Sequence, residues 1–137
     1  MQFLIETDVL REYLIAVPGE ETTLRKALAL GVCYTTMYNA LELFSAAISK
    51  LETDTVSQML LVVRVLGFSA RYAQNFAEIA QEVALRTNLQ LTERETMVLG
   101  MARTSKLTIL TKDHFVRYSA CGVAPVLISP EAVPVGQ

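Results

Sequence analysis

The sequence predicts one α/β domain over residues 1–137, built on a central parallel sheet of four to five short strands with helices on both faces. Three observations carry that prediction. Short apolar runs alternate with segments of helical period along the whole chain, the rhythm of a parallel sheet connected by helices. The runs are short and largely apolar rather than alternating, as strands buried on two faces require. A chain of 137 residues, 52% hydrophobic and 19% charged, can bury one core without disulfides or a structural metal. No internal repeat or linker divides it.

The elements follow in order. Phe3-Leu4-Ile5 is a first strand, and Thr7-Asp8 turns it into a helix from Val9 to Ile15 that Pro18-Gly19 stops. A helix starting at Val9 would have Asp8 as its N-cap. Thr22-Thr23 caps a second helix, which runs through Leu30 and ends at Gly31. Val32 to Thr36 is β-leaning and feeds a third helix, where Met37, Leu41, Phe44 and Ile48 recur at helical spacing. Residues 53–64 and 70–86 read as two more helices, divided by Gly67-Phe68-Ser69. Thr92 opens a helix through Ala102, Leu107 to Leu110 is a third strand, and a short helical piece over 114–120 precedes a fourth strand from Pro125 to Ile128.

Composition narrows the functional classes. Charged residues interrupt every apolar run well before the ~20 that a spanning helix needs, so no membrane segment is expected. The start MQFLIETDVL has no basic leader or small-residue cleavage site and does not read as a signal peptide. A cytoplasmic protein is expected. Cys33 and Cys121 lie far apart, outside any metal-binding spacing, and suit reduced thiols that fill the core. A net charge of −2 lacks the strong basic signal of a nucleic-acid binder, although basic residues gathered on one rim would be compatible with one.

Ligands of open α/β sheets bind beyond the carboxyl ends of the strands, and that is where the acids fall. Glu6 and Asp8 follow the first strand, and Glu42 lies in the helix after the second. Glu95 is in the first turn of the helix before the third strand, and Asp113 comes three residues after that strand. Carboxylates gathered from four segments repel one another and acquire raised pKa values unless a hard divalent cation such as Mg²⁺ or Mn²⁺ neutralises them. Such an ion would acidify an attacking water and take up charge on a scissile phosphate, the chemistry of phosphodiester hydrolysis.

Four blocks then carry a resemblance. Leu4-Ile5-Glu6-Thr7-Asp8-Val9-Leu10 resembles the first-strand motif of PIN domains, usually Leu-Leu-Asp-Thr-x-Val-Leu. Glu42, within Asn39 to Ala46, is similar to the family's helix-borne glutamate. ERETMVLGMA, from Glu93 to Ala102 with Glu95 inside it, resembles the helix that usually begins Asp-Ala-Leu-Ile-Ala, and Leu110-Thr111-Lys112-Asp113 resembles the Thr-x-Asp motif. The blocks stand in the family's order from end to end, and the length resembles that of VapC-type toxins.

The resemblance implies a PIN-like fold and a Mg²⁺- or Mn²⁺-dependent endoribonuclease. Glu6, Glu42, Glu95 and Asp113 would be its catalytic, metal-holding acids, with Asp8 as a further ligand and Thr7 and Thr111 as polar support. It implies RNA as substrate and a small antitoxin protein as partner. Apolar content beyond what one small domain readily buries adds a homodimer. Arg11, Arg103, Lys112 and Arg117 flank the site in sequence and would contact RNA phosphates, or stand as solvated charges.

Two departures keep a second reading open, a non-catalytic PIN domain that binds RNA or protein with a degenerate metal site. The family usually has Asp where this chain has Glu6 and Glu95, and the longer arms disturb the near-octahedral, ~2.0–2.1 Å geometry that Mg²⁺ demands. Thr92-Glu93-Arg94-Glu95 also matches a capping box, which would give Glu95 a structural task. His114, the one histidine, reads as a surface or packing residue.

Overall fold

The computed structural model describes residues 1–132. Its strands are β1 (Gln2–Ile5), β2 (Val32–Thr36), β3 (Arg64–Leu66), β4 (Thr108–Leu110) and β5 (Val126–Leu127), in the order β3-β2-β1-β4-β5. All the pairings are parallel, with Leu4 beside Tyr34 on one side and beside Ile109 on the other. The helices are α1 (Thr7–Ile15), α2 (Thr23–Leu30), α3 (Met37–Ala46), α4 (Lys50–Met59), α5 (Ala73–Thr87), α6 (Glu93–Ser105) and α7 (Phe115–Cys121).

Strand side chains alternate between faces, and β1 divides its residues accordingly. Phe3 and Ile5 join Leu10 of α1, Leu24 of α2, Leu43 of α3 and Val56 and Met59 of α4. Leu4 joins the other core, with Val83 of α5, Val98 and Leu99 of α6 and Tyr118 of α7. Two cores on one sheet explain why Phe3, Leu4 and Ile5 are all apolar. Cys33 and Cys121 are both buried and free, one in each core, and burial pushes the Cys33 thiol up to about 11. No described helix is long and apolar enough to cross a membrane.

The helix read over 53–64 requires correction. α4 ends at Met59, and Arg64–Leu66 is the edge strand β3, beside Tyr34–Thr36. Leu60 to Leu66 is apolar except for Arg64, and so short a run fits either period. Its β-branched Val62, Val63 and Val65 favour the pleated conformation. The helix start near Val9 also moves. Glu6 is the N-cap of α1, accepting from the Thr7 N–H at 3.4 Å, so Asp8 lies inside the first turn.

Glycines mark two close approaches. At Gly31 φ is −179°, ordinary extended backbone, but a Cβ would lie 2.0 Å from the Met1 carbonyl oxygen. At Gly100, inside α6, a Cβ would stand 2.5 Å from the Phe76 ring of α5. Gly100→Ala should therefore lower stability by about 1 kcal/mol, because overpacking at ~1–3 kcal/mol exceeds the ~1 kcal/mol gained in helix propensity. Thermal melting checks this, and a rise in melting temperature would contradict it.

Candidate functional site

The connection from β3 to β4 crosses to the far side of β1, so the direction of winding changes between β1 and β4. In open α/β sheets such a switch point, beyond the carboxyl ends of the strands, is where a ligand crevice lies. Glu6 stands at its floor. It is the first residue after β1, still extended at φ −77° and ψ 163°, and its N–H donates to the Leu110 carbonyl at 3.1 Å. Its side chain is fully buried. The Asn39 amide donates to Oε1 at 2.5 Å, and the Tyr118 hydroxyl donates to Oε2 at 2.7 Å.

Asn39 is held for this task by the start of α3. The Asn39 N–H donates to the Thr36 hydroxyl at 3.1 Å and the Thr36 N–H donates to Asn39 Oδ1 at 3.3 Å, a reciprocal cap. With Oδ1 engaged there, Nδ2 is left to serve Glu6 and the Thr7 hydroxyl, the latter at 2.8 Å. Thr7 in turn donates to Glu42 Oε1 at 2.9 Å. Arg94 completes the group, its Nη1 lying 3.9 Å from Glu6 Oε2 and 3.8 Å from Glu42 Oε2. Those distances are coulombic attraction rather than hydrogen bonding. Burial pushes the Glu6 carboxyl above its ordinary range, against the opposing pull of Tyr118, Asn39 and Arg94.

The remaining acids have other partners. Asp8 accepts from the N–H groups of Lys112 at 2.7 Å and Asp113 at 3.0 Å and from the Thr111 hydroxyl at 3.0 Å, which ties α1 to the loop after β4. The buried Thr111 also accepts from the His114 N–H at 3.3 Å. Asp113 is exposed, and its carboxylate takes part in none of the described hydrogen bonds. Glu95 closes the capping box with Thr92, accepting the Thr92 N–H at 2.8 Å, and forms a two-point ion pair with Arg117, one contact through Nε and the other from Nη2 at 3.1 Å. Burial alone would raise the Glu95 carboxyl, but Arg117 and Thr92 together hold it below the ordinary range.

Arg117, Lys112 and Arg103 are likewise paired. Arg117 also donates to the Gln90 carbonyl at 2.8 Å, and Lys112 pairs with Glu12, which accepts the Thr23 N–H at 2.7 Å. Arg103 pairs with Glu82 at 3.4 Å from the last turns of α6, the end away from Glu95. Arg11 lines an apolar groove with Leu14, Ile15, Leu43 and Leu51. His114 packs edge-on against Tyr118, ring centroids 6.0 Å apart.

No protein-family model matches the sequence, and no curated protein does. Solved structures match it along nearly its whole length. A chain of VapBC2 from Rickettsia felis, bound to a DNA fragment from its promoter, superposes with a TM-score of 0.75 at 14% identity, over 93% of this chain and 98% of that one. A chain of DNA-bound VapBC from Salmonella typhimurium gives 0.72 at 15%, over 93% and 97%. FitAcB from Neisseria gonorrhoeae gives 0.68 at 18%, also over 93% and 97%. The chain has a PIN-like fold. Within that fold the first, second and fourth motif blocks lie at this end of the sheet, and the third reaches Glu6 and Glu42 through Arg94.

Among the described residues, no three His, Cys, Asp or Glu side chains converge to hold a metal ion. Glu6 and Glu42 do approach each other, and Mg²⁺ can be held by one or two carboxylates plus water and substrate phosphate. Here, however, the Oε2 atoms of both acids already face a guanidinium, and both Glu6 oxygens accept hydrogen bonds. The arrangement of this PIN-like fold does not fit a divalent ion while Arg94 is in place. Arg94, Asn39 and Tyr118 were not among the residues the sequence singled out. Only Arg94 left a local sign, a basic residue in the first turn of a helix, where cations are disfavoured.

Proposed function

We propose that this chain is the toxin-type subunit of a two-protein pair, and that it binds RNA in the crevice between β1 and β4 without a metal ion. The observation that carries this reading is the end-to-end likeness to chains of VapBC and FitAB complexes, 93% of this chain matched to 94–98% of theirs. The absence of a metal from the reading follows from Arg94, whose charge already answers Glu6 and Glu42. Arg94 and the crevice rim would meet the RNA backbone, since phosphate contacts supply position and much of the affinity.

A small antitoxin protein is the partner in this reading. The apolar groove between α1 and α4 suits it, with Ile15 and Leu51 in its lining exposed at 84% and 77%. A homodimer belongs to the same proposal, resting on an apolar content of 52%, beyond what one small domain readily buries. Light scattering of the isolated chain should then give twice the monomer mass, and a monomer across a wide concentration range would remove the dimer from the proposal.

A second reading is a Mg²⁺- or Mn²⁺-dependent endoribonuclease using Glu6, Glu42, Glu95 and Asp113, with Asp8 in reserve. The fully buried Glu6, whose carboxyl burial pushes above its ordinary range, favours it, because such a carboxylate gains most from a cation. End-labelled single-stranded RNA separates the two. Retarded but intact RNA at every metal concentration supports the first reading, cleavage that EDTA abolishes supports the second, and neither binding nor cleavage removes both.

A further inference from the structure

Carboxylates brought out of water need a positive partner, and a fully buried one needs it most. Glu6 is 0% exposed and Glu42 27% exposed, and they come from different segments of the chain to face one point. Arg94 occupies that point. Its side chain is 28% exposed, and one nitrogen, Nη1, lies at nearly equal distances of 3.9 and 3.8 Å from both acids.

Two independent features show that the placement is not local to the helix. Arg94 is the second residue of α6, after the N-cap Thr92 and Glu93. There the unpaired N–H groups and the helix dipole favour acids and disfavour a cation. Glu93 and Glu95 follow that rule, and Arg94 breaks it in the direction of the crevice. The other nearby acid, Glu95, has a guanidinium of its own in Arg117. Glu6, Glu42 and Glu95 are thus each answered by an arginine rather than left for an ion. A guanidinium is also the better group for the task, planar and more weakly hydrated than an ammonium.

From this geometry we infer that Arg94 is the resident counter-ion of the crevice, taking the charge-neutralising place that a divalent metal would otherwise fill between Glu6 and Glu42. The two acids are held together by a side chain the fold carries with it. The inference rests on these three residues and stands whether or not the crevice binds RNA.

Mn²⁺ alone is the probe, followed by titration calorimetry and by thermal melting. Wild type should show no binding at the crevice and no change in melting temperature. Arg94→Met keeps the length and loses the charge, so it should melt lower than wild type in EDTA, bind Mn²⁺, and recover several degrees when the ion is added. Arg94→Lys should remain as indifferent to Mn²⁺ as wild type. If Arg94→Met is unfolded in EDTA, Mn²⁺ should refold it. Wild-type Mn²⁺ binding that Glu42→Gln abolishes would overturn the inference. So would an Arg94→Met protein that ignores Mn²⁺, whether it is folded or stays unfolded.

Discussion

Asn39→Ala should cost about 3 kcal/mol of folding stability. Its amide supplies Glu6 Oε1 with a donor at 2.5 Å, the Thr7 hydroxyl with one at 2.8 Å and the Thr36 N–H with an acceptor at 3.3 Å, and all four residues are buried. Truncation leaves a buried carboxylate oxygen short of a donor, at ~1.5–3 kcal/mol, and removes a helix cap at ~1 kcal/mol. Water can enter only by disturbing packing that is otherwise closed. Urea unfolding should show the midpoint falling while the slope stays constant. A loss under about 1 kcal/mol would mean that Tyr118 alone satisfies Glu6. Asn39→Asp separates charge from hydrogen bonding, because it preserves the cap acceptor but turns a second carboxylate toward Glu6. Its deficit should be larger at neutral pH than in mild acid, where one of the two acids takes a proton.

Glu95→Ala should cost about 2 kcal/mol near neutral pH, most of it from the lost capping box and the rest from the lost pairing with the half-exposed Arg117. Its pH dependence is the sharper test. The folded state holds the Glu95 carboxyl below its ordinary value, so its contribution is present above the unfolded value and lost as pH falls through the folded one. Stability curves of wild type and Glu95→Ala should therefore converge on acidification. Glu6 has the opposite sign. Its folded value is raised, so its contribution is complete below the ordinary carboxyl range and lost as pH rises through the folded value. Glu6→Gln should gain on wild type over that rise. Thermal melts across the acid range measure both, and parallel curves for Glu95→Ala would rule out Arg117 as the group that holds its charge.

β1, β2, β4 and β5 were legible because each is a short, mostly apolar run between segments of helical period, and the PIN-like fold was implied by the resemblance of the four motif blocks. β3 was not, since an apolar stretch of so few residues satisfies both periods and only the sheet decides between them. The split within the site has a similar cause. The capping box of Glu95 could be read from four consecutive residues, but its pairing with Arg117 lies 22 positions away and Tyr118 reaches Glu6 across 112. No local pattern encodes such contacts. Arg94 was the informative exception, a residue at odds with its own helix end, and conflicts of that kind tend to mark functional or strained sites.

β1 lies between β2, which follows it in the chain by some thirty residues, and β4, which follows it by more than a hundred. During synthesis one edge of the central strand therefore stays unpaired until Thr108–Leu110 have been made. An unpaired apolar edge is a hazard for aggregation. The delay also has an order built into it. The groove between α1 and α4 belongs wholly to the first sixty residues, whereas the crevice needs Thr111 and Tyr118. A partner that recognises the groove can meet the growing chain before the crevice exists.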